Sequence, residues 1–176
     1  FSAVTPRTAG FNTTDIGGLS DAGKLLSIIL MFIGGGSGST AGGVKIGTVF
    51  VLVLYLRSTL LRSPGTNIFG RRIESDTITK ASAVFCTNLF FSLIGTLLLC
   101  ATQHFDLADA MLEVVSAVST VGMTAGLTTK LNTLSKLVII VLMYLGRVGS
   151  LSFALSFTDH KKIAHVMQPV EPINIG

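Results

Sequence analysis

The sequence predicts an all-α polytopic membrane protein, assembled from repeats of a spanning helix, a short helix, a loop and a second spanning helix. Three observations predict it. The 176 residues are 49% hydrophobic and only 12% charged, about half the charge of an ordinary soluble domain, and mean hydropathy is +0.70. Long apolar runs alternate with short polar breaks. A Gly-containing loop also occurs twice, each time after Ser-Ala-Val: Ser2-Ala3-Val4 precedes Thr8-Ala9-Gly10-Phe11-Asn12, and Ser116-Ala117-Val118 precedes Thr120-Val121-Gly122-Met123-Thr124. Gly10 and Gly122 stand 112 positions apart and the Ser-Ala-Val starts 114, so the first copy carries two extra residues. Internal similarity of this kind is the mark of a repeat architecture.

Residues 1–61 hold the first copy from its loop onward. The region 22–61 is too long for one helix: it is apolar over 25–33, breaks at 34–43, and resumes over 44–61. Residues 62–80 form a linker with Pro64 and Gly65 as breakers. Arg57, Arg62, Arg71, Arg72 and Lys80 lie in and beside it, which places it in the cytoplasm by the positive-inside rule. Residues 81–158 hold a complete unit. Its first span, 81–101, carries no charged side chain and is long enough for a hydrocarbon core of about 30 Å. Residues 106–118 follow as a short helix, with Asp106 as N-cap and Asp109 in the favourable first turn. The second span, 137–157, is interrupted near its middle by Arg147. The segment 102–113 has Asp106, Asp109 and Glu113 but no Lys or Arg, which suits the outer side. The tail 159–176, with His160, Lys161 and Lys162, returns to the cytoplasm. The expectation is a multi-pass protein of the cell membrane with a cytoplasmic C-terminus. A start on Phe1, with no signal peptide visible, reads as the ordered part of a longer sequence.

The loops carry the chemistry. Non-helical backbone is tolerated at membrane depth only where it is buried in protein or lines a water-filled path. Gly at positive φ can aim its carbonyl inward, and rings of carbonyls that replace an ion's hydration shell are the device of potassium filters. The negative C-terminal end of the short helix, near Val118, favours a cation at the same place. Thr8, Ala9, Gly10, Phe11, Asn12, Thr120, Val121, Gly122 and Met123 are therefore candidate filter residues, with potassium held by backbone carbonyls near Gly10 and Gly122. A single Thr-x-Gly would read as a turn; two in matching context do not. Four such loops close a ring, and this chain holds two, so the others belong to N-terminal repeats outside it or to another chain.

The break Gly34-Gly35-Gly36-Ser37-Gly38-Ser39-Thr40-Ala41-Gly42-Gly43 is richer in Gly than a kink requires. It reads as an intramembrane loop able to obstruct the path or withdraw. Arg147 costs about 2.5 to 3.5 kcal/mol in a spanning helix and so faces the bundle interior or water. Pointed into a cation path it would oppose conduction or hold the loop by its carbonyls, with Lys45 alongside; an ion pair with Glu113 is the plain structural alternative.

Other chemistries fail on the residues. Gly43-Val44-Lys45-Ile46 lacks the Gly-Lys-Ser/Thr of a Walker loop, and the loose dinucleotide pattern at 36–41 is followed by Arg57 and Arg62 where an acid is wanted. No bound organic cofactor is expected. His104, His160 and His165 form no zinc motif, no catalytic set emerges, and no soluble basic face supports nucleic acid as a partner. Cys86 and Cys100 lie about 21 Å apart along a helix and read as buried hydrophobes.

PRTAGFNT at 6–13, GGGSGSTAGGVK at 34–45, STVGMTAGLT at 119–128 and GRVGS at 146–150 together resemble the potassium-translocating membrane subunit of the Ktr/Trk/HKT superfamily, nearest its bacterial KtrB branch. The resemblance implies a pore of four-fold pseudosymmetry, potassium-channel-like, of which this chain supplies most of the third repeat and all of the fourth. It also implies that Gly10 and Gly122 are two of four filter glycines, that 34–43 is the gating loop, and that Arg147 is the inward-facing arginine of the last helix. Potassium is then the transported substrate, and a homodimer bound to a cytoplasmic nucleotide-binding ring is the implied assembly. A non-conducting membrane anchor for a cytoplasmic partner would explain the spans and basic clusters, but not the repeated loops or Arg147.

Overall fold

The computed structural model describes residues 3–7, 9–13, 15–36, 38–39, 41–62, 65–68 and 71–149. Thr8, Ser37, Thr40, the end of the expected last span, 150–157, and all that follows it lie outside the described residues. Among those described, the helices are α1 Asp21–Phe32, α2 Ile46–Leu60, α3 Ser75–Thr102, α4 Leu107–Val118 and α5 Thr133–Val148. A small antiparallel ribbon within the stretch read as linker pairs β1 Asn67–Ile68 with β2 Arg71–Arg72.

Local chemistry sets the helix starts. Ser20 caps α1 by accepting from the Gly23 amide at 3.3 Å, and Asn132 caps α5 by accepting from the Ser135 amide at 2.8 Å. Asp106 is the N-cap of α4, as its sequence suggests, though its side chain makes no capping bond. α3 begins at Ser75 rather than at Ala81. Asp76 in its first turn pairs with Lys80 at 2.6 Å, an i,i+4 contact that supports the extra turn. Among the described residues α3 is the one helix long and apolar enough to cross a membrane, at about 42 Å for 1.5 Å per residue.

α3 turns polar residues inward and apolar ones outward. α3 buries Asn88, Ser92 and Thr96 while Phe90, Leu93 and Leu97 face outward. The buried polar groups are satisfied within the helix: Asn88 donates to the Val84 carbonyl at 2.8 Å, Ser92 to Asn88 at 2.9 Å and Thr96 to Ser92 at 2.8 Å. Such back-bonding makes a polar helix face tolerable away from water.

At the centre stands α4, packed against α1, α3 and α5, with every residue from Leu112 to Val118 buried. Leu99, Val114, Val118, Leu142 and Leu145 form the core on its α3–α5 side. Ile28, Met31, Leu112 and Val115 form the core toward α1. Glycine permits the closest approach: a Cβ on Gly146 would stand 2.0 Å from the Val118 carbonyl oxygen. Lys24 and Asp109, paired at 2.6 Å, tie the first turn of α1 to that of α4.

Candidate functional site

The two glycine loops lie edge to edge. Gly10 has φ +67° and Gly122 φ +83°, the left-handed region in which glycine carries no Cβ penalty. A Cβ on Gly10 would fall 2.0 Å from the Val121 carbonyl oxygen, whereas one on Gly122 would meet open space. The second loop leaves α4 through Ser119, Thr120 and Val121, whose amides donate to the Val115, Ala117 and Ser116 carbonyls at 2.8, 3.1 and 2.9 Å. In the first copy a 3-10 turn, Thr5–Arg7, stands in the corresponding gap, and the Gly10 amide returns to the Thr5 carbonyl at 3.2 Å. That turn accounts for the two extra residues.

The loops differ in their support. Val121 and Met123 are buried against Ile16, Ile28 and Met31, while Ala9, Phe11 and Asn12 are exposed. Behind the second loop, Glu113 on α4 is buried and accepts a hydrogen bond from Thr128, whose hydroxyl also lies 3.0 Å from that of Thr124.

The break between α1 and α2 folds as a sideways loop. Ile33 and Val44 run alongside each other in a parallel bridge, with the Gly34 amide on the Val44 carbonyl at 2.9 Å and the Val44 amide on that of Phe32 at 3.2 Å. These bonds occupy backbone groups that a broken helix leaves open. Lys45, at the exit, donates to the Ser39 carbonyl at 3.0 Å and to that of Ala41. The far side of the loop reaches the second glycine loop: the Gly42 amide donates to Thr120 Oγ1 at 2.8 Å. Cβ atoms on Gly42 and Gly43 would fall 2.8 Å from the Thr120 and Ser119 hydroxyls, so the contact needs glycine.

Arg147 stands in the last turn of α5, ahead of the Gly149 cap at φ +94°, and not within a longer described helix. Gly149, at positive φ, is the C-cap of the described helix. Arg147 borders a cleft of about 200 Å³ with Ser39, Ala41, Gly42, Gly43 and Lys45. The structure thus gathers the loop, Lys45, Arg147 and the start of the second glycine loop in one place. Thr120 as the anchor of the loop was not visible in the sequence, since its partner lies 78 positions away. A longer repeat was visible: the offset of 112 that relates Gly10 to Gly122 also relates the caps Ser20 and Asn132, Lys24 and Lys136, and Gly34 and Gly146.

Two glycine loops meet at an enclosed short helix, with large apolar side chains exposed on the outer helices and polar residues of α3 buried. The family model "TrkH: Cation transport protein" matches residues 1–165, and the chain belongs to this family. It is similar to Ktr system potassium uptake protein B of Bacillus subtilis, at 43% identity over 89% of this chain and 35% of that protein. It is also similar to potassium/sodium uptake protein NtpJ of Enterococcus hirae, at 37% identity over 100% of this chain and 40% of that one. The crystal structure of the potassium transporter TrkH from Vibrio parahaemolyticus superposes with a TM-score of 0.72 at 23% identity, covering 88% of this chain and 35% of that one; this likeness establishes the fold. The expected membership of the Ktr/Trk superfamily therefore holds, and the relatives are ion transporters rather than enzymes. The chain spans between a third and two fifths of the length of these relatives.

Proposed function

We propose that the chain is part of a potassium uptake protein of the cell membrane, multi-pass with a cytoplasmic C-terminus, in which the loops at Gly10 and Gly122 form half of a carbonyl-lined filter. The other half comes from two further repeats. Potassium passes along the loop carbonyls, and the Gly-rich loop 34–43 obstructs the path until it is drawn aside. The observation that carries this reading is the bond from the Gly42 amide to Thr120 Oγ1, which couples the loop to the first residue of a filter strip. Lys45 holds the loop by two of its carbonyls, and Arg147 adds a positive charge beside it that repels cations. A homodimer with a cytoplasmic nucleotide-binding ring is the assembly in which such a gate would be worked.

Deleting residues 34–43 from the full-length protein tests the gate. Potassium flux into reconstituted vesicles should rise at least several-fold; unchanged flux would remove the loop from gating. A non-conducting anchor would show no flux with or without the loop.

A further inference from the structure

The segment that leaves the second glycine loop is hinged at both ends. Gly122 and Gly126 have φ of +83° and +89°, and a Cβ on either would meet nothing within 4 Å. Neither turn is fixed by crowding at its glycine. Met123 anchors the segment on one side, buried in the apolar cluster with Ile28 and Met31. Thr124 anchors it on the other through hydroxyl groups. A hydroxyl carries one proton, and that of Thr128 goes to Glu113 Oε1. The Thr128 oxygen therefore accepts from the Thr124 hydroxyl at 3.0 Å, and the Thr124 oxygen in turn receives the Gly126 amide at 3.0 Å. The bonds run in one sense from the Gly126 amide to Glu113, and bonds aligned in this way polarise one another.

Glu113 is not placed there by packing. It is 5% exposed, between Leu112 and Val114 at 0%, and its Oε2 is buried without a hydrogen-bond partner among the described residues. Burial of a lone carboxyl oxygen is unfavourable, and an apolar residue would fill the position better. The first copy shows the apolar solution: at the offset of 112, Thr128 corresponds to Ile16, which is 4% exposed and belongs to the cluster with Met31, Val121 and Met123. We propose that Glu113 is a positioning residue for ion selectivity. Through Thr128 and Thr124 it ties the Gly122–Gly126 segment to α4, and so holds the direction of the Gly122 carbonyl. The inference rests on the filter proposed above and deepens it, since the second loop is held by a hydrogen-bonded chain where the first has an apolar peg.

The test is the potassium-to-sodium permeability ratio of the full-length protein in vesicles, with the melting temperature in detergent measured alongside. Thr128→Val keeps the shape and breaks the chain; it should lower the ratio at least several-fold in a protein that still folds and conducts potassium. Thr128→Ser restores the hydroxyl and should hold the parent's ratio. Glu113→Gln, which leaves an acceptor for Thr128, should stay near the parent, whereas Glu113→Met should fall as far as Thr128→Val. The double variant of Glu113→Met and Thr128→Val should fall no further than either alone, because both break one chain. A folded Thr128→Val protein with the parent's ratio would overturn the proposal, as would a Thr128→Ser protein no more selective than Thr128→Val. Gly122→Ser separates the two levels. If it lowers the ratio while Thr128→Val and Glu113→Met do not, the filter stands and the role of Glu113 is rejected; if it leaves the ratio unchanged, the filter reading falls and takes this inference with it.

Discussion

Thr120 is the residue on which two parts of the site depend. Its φ of +55° is a left-handed conformation that costs a β-branched residue roughly 1–2 kcal/mol, and its hydroxyl receives the Gly42 amide. Replacing it by Val removes the acceptor and keeps the shape. Thr120→Val should raise basal potassium flux, while Thr120→Ser, which retains the hydroxyl, should stay near the parent; equal fluxes for the two would mean that the bond does not hold the loop. Gly10 belongs to a different class. Any Cβ there meets the Val121 carbonyl oxygen at 2.0 Å, so Gly10→Ala has to part the two loops, an overpacking cost of about 1–3 kcal/mol. Its melting temperature in detergent should fall clearly below that of Gly122→Ala, whose added methyl enters open space. Both glycines are legible in the sequence by their repeated context. The role of Thr120 is not, because it depends on a tertiary contact that no local pattern encodes.

At the scale of elements, local signals mark boundaries well and fail where tertiary contacts decide. Asp106 and the acidic first turn place the start of α4 correctly, and the Gly-rich run 34–43 breaks the helix where its composition says. α3 gains its extra turn from Asp76 and Lys80, which hydropathy discounts because both are charged. Its Asn88, Ser92 and Thr96 ladder is readable in hindsight from the spacing of four. Among the described residues α5 closes at Gly149, with Arg147 in its last turn beside the loop, while the rest of the expected span lies outside them. The join between α1 and α4 has its own test. Lys24→Met and Asp109→Asn should each lower thermal stability, and the double variant should lose less than the two single losses together; strict additivity would show that the ion pair contributes nothing.

For the molecule as a whole, the repeat organises everything. The helical fold shared with TrkH was legible because lipid-compatible composition and a doubled loop leave few alternatives. The closeness of the loops was not, since 112 residues separate Gly10 from Gly122 and only folding around α4 brings them together. The exposed apolar side chains of the outer helices and the inward polar residues of α3 answer to the same constraint, around an apolar core built on α4. If the loops are two quarters of a potassium filter, selectivity must depend on a glycine needed for its backbone direction and not for packing. Gly122 is that position, because its φ of +83° sets a carbonyl direction while a Cβ there would touch nothing. The most direct measurement is the potassium-to-sodium permeability ratio of the full-length protein carrying Gly122→Ser, in vesicles. A folded protein whose ratio falls at least several-fold is the predicted result; a folded protein with the parent's ratio would contradict the filter.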